Sequence, residues 1–158
     1  AKQAYTGTPD RSIPVNNHHR HSIEIRIRIL SLLFAIDICS YSVTFIYISL
    51  VVKLMPQEAQ SWTDNEVLGR WTHLFTAPLV VQQWRTNTLD NLADYENLNR
   101  LIVQYRNRLE DLGWFMKCLN EPVARQANKE DGSTGHFWES RYKSQALLSE
   151  EALITCMA

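Results

Sequence analysis

Apolar and polar residues change period several times along this chain, and each change marks a candidate element. Between Ile23 and Phe34 the run EIRIRILSLLF carries two patterns at once. Glu24 to Ile29 alternates as a strand would, while the whole stretch also suits a helix. Ala35 to Val43 and Phe45 to Leu54 are rich in Ile, Val, Tyr and Phe and read as two strands, closed by Pro56. Thr63 and Glu66 then form a capping-box pattern ahead of Val67, Leu68, Trp71, Leu74 and Phe75, which predicts a helix from about Asp64 to Phe75 that Pro78 ends. A second helix, from about Asp90 to Leu112, gathers Leu98, Leu101, Ile102, Tyr105, Leu109 and Leu112 on one face. Its other face carries Arg100, Arg106, Arg108, Glu110 and Asp111 and reads as solvated.

The last third repeats this alternation of elements in a shorter space. Trp114, Phe115, Cys118, Leu119 and Val123 recur at helical spacing and predict a helix from about Trp114 to Asn128, kinked or broken at Pro122. Asp131 to Gly135 is a turn by composition. His136 to Ser144 interleaves aromatic and cationic residues and suits a strand at a sheet edge. Ser149 caps a short final helix whose first turn holds Glu150 and Glu151. The opposite end, Ala1 to Asn17, is polar and contains Gly7, Pro9 and Pro14, so it reads as a loose tail. The expected organisation is a tail over residues 1–22 and a domain over 23–158, with a helical insertion at about 57–112. The start at Ala1 and the abrupt stop after Ser149 add the expectation of a fragment.

Charge changes the picture only locally. The chain has 158 residues and a formal charge of −1, without the basic excess of a strong nucleic-acid binder. Residues 1–54 hold six Lys/Arg against three Asp/Glu, 55–112 five against eight, and 113–158 five against six. Any phosphate-binding surface is therefore a patch rather than a global field. Cys39, Cys118 and Cys156 form no CxxC pair and suit a reducing compartment better than disulfides or zinc. His18, His19 and His21 sit in a polar N-N-H-H-R-H context with no matching Cys or carboxylate spacing, so a solvated helix start is favoured over a metal site.

The run G-H-F-W-E-S-R-Y-K-S (residues 135–144), preceded by W-F-M-K-C-L-N-E-P-V-A-R-Q-A-N and followed by A-L-L-S-E-E-A-L-I-T-C-M-A, resembles the REP-associated single-tyrosine transposases of the HUH class. Phe34 to Val43, Gln60-Ser61-Trp62 and Arg70-Trp71 extend the resemblance upstream, so that it covers roughly Ile23 to Ala158. It implies an α+β, ferredoxin-like fold: an antiparallel sheet with helices packed on it, here missing its first strand and its last helix. It also favours the helical reading of Ile23 to Phe34. Members of the family cut and rejoin single-stranded DNA in the cytoplasm of prokaryotes. Two histidines on a central strand hold Mg or Mn, and a tyrosine on a nearby helix attacks the scissile phosphate.

The resemblance fails at the positions that matter most. The two histidine positions fall on Tyr47 and Ser49, neither of which replaces a neutral imidazole. The nucleophile position falls at or near Val123, and no tyrosine lies between Gly113 and Glu139. Tyr142 occupies a strand position that is merely aromatic in the family. The expectation is a degenerate member with no catalytic residue, no metal ligand and no cofactor, retaining DNA binding at most. Lys117, Arg125, Arg141 and Lys143 are the candidate phosphate contacts, with Trp138 or His136 able to stack on an unpaired base of single-stranded or hairpin DNA. Against this, Trp138 could be core and Arg141 could pair with Glu139 or Glu121.

Two rival readings remain open on sequence grounds. An active enzyme with displaced catalytic residues would need a metal pair and a nucleophile that the sequence does not display. A small membrane-associated or interaction protein is the other. Residues 29–52 run for 24 residues with a single charge, Asp37, long enough to span a bilayer, at a cost of roughly 2.5–3.5 kcal/mol for a central aspartate. Phe45, Ile46 and Ile48 would then form an exposed apolar patch.

Overall fold

Isoleucine spacing decides the first helix. In the computed structural model, which describes the backbone of residues 2–7, 17–43, 48–131 and 143–147 and the side chains of 20–43, 48–122, 124, 125 and 129, helix α1 runs Asn17–Leu33. Ile23, Ile27 and Leu30 are at most 2% exposed, whereas Ile25 is 44% exposed. The 3.6-residue period therefore wins over the alternation, since Ile23, Ile27, Leu30 and Phe34 make one buried stripe.

Strand β1 (Lys2–Gly7) precedes α1, and β2 (Ile36–Val43) and β3 (Ile48–Leu54) follow it. Helices α2 (Pro56–Ser61), α3 (Asp64–Leu74), α4 (Leu79–Arg85), α5 (Leu92–Leu109) and α6 (Leu112–Asp131) come next, and β4 (Lys143–Leu147) is the last described element. These strands form one four-stranded sheet in the order β2-β3-β1-β4, with every neighbouring pair antiparallel. Helical crossovers leave β1 and β3 and return to β2 and β4, which is the ferredoxin-like, split βαβ arrangement. The expected α+β class is the observed one.

The missing first strand is a correction. Residues 2–7, read as part of a loose tail, are a central strand bonded to β3 on one side and β4 on the other. Six residues with little apolar content suffice because both neighbours supply ladder hydrogen bonds. Helix α1 also begins inside the expected tail.

Registers explain how the sheet buries one face. Ile36, Val43, Ile48, Leu50 and Val52 belong to the main core cluster. Cross-strand pairs Ile38↔Val52, Tyr41↔Leu50 and Val43↔Ile48 put these positions on a common face. Ile38 and Tyr41 are an odd number of residues apart, and a bulge between Ile38 and Ser40 restores the alternation. Residues 29–52 therefore comprise the end of α1 and most of a β-hairpin rather than one spanning helix, and no described helix is long and apolar enough to cross a membrane. Ile48 is 1% exposed, so it packs in the core instead of joining an exposed patch. Phe45, Ile46 and Tyr47 lie outside the described residues.

Prolines start helices here as well as interrupting them. Pro56 opens α2 at its first turn, and Pro78 is the N-cap of α4, positions where a missing N–H costs nothing. Thr63 and Glu66 form the reciprocal capping box of α3. Phe75, expected inside α3, is its C-cap. The expected single helix to Leu112 stops at Leu109. Asp111 Oδ2 accepts from the Trp114 N–H at 3.0 Å and so begins α6 as a separate helix.

Helix α6 runs through Pro122 without a break. Proline lacks the N–H that would bond the Cys118 carbonyl four residues back. Arg26 of α1 fills that place, its Nε–H donating to Cys118 O at 3.0 Å. Phe34 meets Phe115 edge-on at 5.3 Å in the core between the same two helices and the sheet.

Candidate nucleic-acid interface

Strand β3 carries the position where the resemblance expects a metal ligand. Ser49 is partly buried and pairs with Thr6 of β1 on one side and Ser42 of β2 on the other. A serine hydroxyl is a weaker ligand for a divalent cation than the imidazole that the resemblance expects there. Among the described residues no group of three His, Cys, Asp or Glu side chains comes together. Val123 lies in α6, but its side chain is outside the description, as is Tyr47 altogether.

The six candidate DNA contacts divide unevenly. Lys117 and Arg125 stand on α6, both exposed. Arg125 Nη2 lies 3.6 Å from Glu121 Oε2 in an exposed i,i+4 pair, which gives Glu121 a partner other than Arg141. Lys143 is the first residue of β4 and pairs in register with Thr6, in the same cross-sheet row as Ser49 and Ser42. The backbone thus brings Lys143 beside the hydroxyl row. His136, Trp138 and Arg141 lie outside the described residues, as do the turn at Asp131 to Gly135 beyond its first residue and the helix expected after Ser149.

A cluster that the sequence reading passed over sits where α5 meets α6. Trp71 stacks on Phe75 at 4.6 Å and on Tyr105 at 5.1 Å, and Trp114 meets Trp71 edge-on at 5.5 Å. Arg108 Cζ lies 4.3 Å from the Trp114 ring centroid and 5.3 Å from that of Trp71. Lys117 Nζ lies 4.6 Å from the Trp114 centroid. Burial pushes the Tyr105 hydroxyl above its ordinary value, with Arg108 opposing the shift. The available signal was the three-residue spacing of Arg108, Asp111, Trp114 and Lys117 across the helix break, which continuous-helix reasoning spread over the surface.

Arg106, taken as solvated, is also structural. Its Nη1 donates to Ala59 O at 2.7 Å and Trp62 O at 2.6 Å, and its Nη2 pairs with Asp64 Oδ1 at 3.0 Å. Arg70 Nη1 likewise donates to the carbonyls of Leu32 and Leu33 at the end of α1, and its guanidinium lies 4.0 Å over Trp62. Cys118 is buried and Cys39 exposed, both as free thiols, while Cys156 is outside the described residues. Burial pushes the Cys118 thiol up to about 11.

No protein-family model matches the chain, and no curated protein matches it in sequence. A solved structure of a candidate transposase from Deinococcus radiodurans R1 aligns with a TM-score of 0.46 and 10% identity, covering 99% of this chain and 85% of that one. At that score the likeness carries no weight of its own, and the sheet order rests on the strand pairings alone.

Proposed function

We propose that this chain is a transposase-like domain that binds single-stranded or hairpin DNA without cutting it. The observation that carries the reading is the β2-β3-β1-β4 antiparallel sheet, ferredoxin-like as the sequence resemblance to single-tyrosine transposases implied, but with its first strand present. Ser49, one of the two positions where the resemblance expects a histidine, pairs with Thr6 and Ser42 on that sheet, which supports the reading without cutting. Lys117, Arg125, Arg141 and Lys143 would contact phosphates, with His136 or Trp138 stacking on a base.

The test is binding of the purified chain to a hairpin-tipped single strand across a salt series, with and without Mn²⁺. Affinity that falls with salt, ignores Mn²⁺ and leaves no covalent adduct is the expected result. A Mn²⁺-dependent covalent adduct would mean an active nicking enzyme with displaced residues. Absence of any binding would remove the DNA reading.

A further inference from the structure

The corner between α5 and α6 holds an open cleft of about 280 Å³ lined by Gln104, Asn107, Arg108, Asp111 and Trp114. That is just below the usual size of small-molecule clefts, and the site is open to solvent. Lys117 is outside this lining but lies against the same Trp114 ring that Arg108 covers. The two cationic centres lie 4.3 and 4.6 Å from one ring centroid, and so are at most about 9 Å apart.

Two cations this close repel each other, yet among the described residues neither Arg108 nor Lys117 has a carboxylate within salt-bridge distance. An aromatic face holds a cation without neutralising it. The indole therefore holds both side chains near it and leaves their charge for something else. Asp111, the acid of the cleft, is engaged in capping Trp114 N–H. Gln104 and Asn107 add side-chain amides, each with donors and an acceptor, which suit the edges of a base. Phosphate for the cations and a base edge for the amides describe one ligand class.

We infer that the α5–α6 corner is a nucleotide subsite for single-stranded DNA, with Arg108 and Lys117 on the backbone phosphates and Gln104 and Asn107 beside the base. This rests on the DNA-binding reading above and gives it a described location. An acidic peptide would satisfy the two cations and could meet the amides through its backbone, so poly-glutamate is the competitor that separates it from DNA.

The decisive experiment compares wild type, Arg108→Gln/Lys117→Gln and the charge-preserving Arg108→Lys/Lys117→Arg for binding to labelled dT20 over a salt series, with poly-glutamate as competitor. The glutamine pair should bind about tenfold or more weakly, with a salt slope shallower by about 1.4, since each single-strand phosphate contact contributes about 0.7. The charge-preserving pair should stay within about threefold of wild type. Wild-type affinity and slope in the glutamine pair would overturn the subsite and leave the broader DNA reading standing. Equal loss in both pairs would assign the effect to packing and overturn it too. Competition by poly-glutamate as effective as by unlabelled dT20 would overturn the nucleotide assignment, and a wild-type chain that binds no DNA would overturn both proposals.

Discussion

Arg26 on α1 donates from Nε to the Cys118 carbonyl on α6 at 3.0 Å, across 92 positions of sequence. The carbonyl is available because Pro122, four residues on, has no N–H to give it. An arginine and a proline far apart in the chain are thus two halves of one local arrangement. Burial lowers the Arg26 pKa, with Cys118 opposing and Arg125 adding to the shift, but an arginine stays protonated at neutral pH. Arg26→Met should cost about 1–3 kcal/mol in urea unfolding, the penalty of a carbonyl left without a partner. The same change made in a Pro122→Ala background should cost less, because alanine restores the helical donor. Equal losses in the two backgrounds would break the link between them.

Arg106 ties α5 to the α2–α3 corner through three acceptors. A lysine cannot present the same fork. Both Arg106→Ala and Arg106→Lys should therefore lose about 2 kcal/mol, seen as a Tm lower by about 4–8 °C. A lysine variant as stable as wild type would reduce the contact to a simple charge pair with Asp64.

Residues 2–7 offer a sharp contrast between a tail and a strand. Ala4 pairs with Val51 and with Gln145. Proline in a central strand removes a ladder donor, so Ala4→Pro should destabilise by about 1–3 kcal/mol. A silent substitution at Ala4 would restore the tail reading.

Thiol chemistry separates the two described cysteines. At pH 8 a maleimide should label Cys39 rapidly and Cys118 only on unfolding, followed by peptide mapping. The Cys118 thiol is raised from an ordinary 9.0 to about 11, so the folded state holds its proton longer than the unfolded state does. Its contribution to stability is accordingly complete below pH 9 and is lost as pH rises towards 11. A Cys118→Ser or Cys118→Ala variant should show a flatter decline over that window.

Long, strongly periodic elements were legible in the sequence, because their period is set by burial of one face. Helix α3 with its capping box and strand β2 came through to within one residue, and β3 ends at Leu54 as expected. Short elements did not. Helices α2 and α4 have six and seven residues, too few for a period, and the prolines that start them resemble stops. Strand β1 is held by neighbours on both sides, so its own residues need little apolar character. Lys117 was singled out by its charge. Arg108 was not, because what brings it to Trp114 and Lys117 is the turn at Glu110 and Asp111 between α5 and α6, which has only a weak local sign.

The central place of β1 also sets an order of events during synthesis. It is the earliest made of the four described strands, yet its second neighbour, β4, is the last. Helix α1 and the β2–β3 hairpin can assemble from contacts close in sequence, whereas Thr6 must wait for Lys143. Such distant pairing is slow, since chain closure comes before any reward. Until it happens one edge of β1 is a bare template for another chain. Pausing or truncation before residue 143 should therefore favour association between nascent copies, and β4 is the closing latch that prevents it.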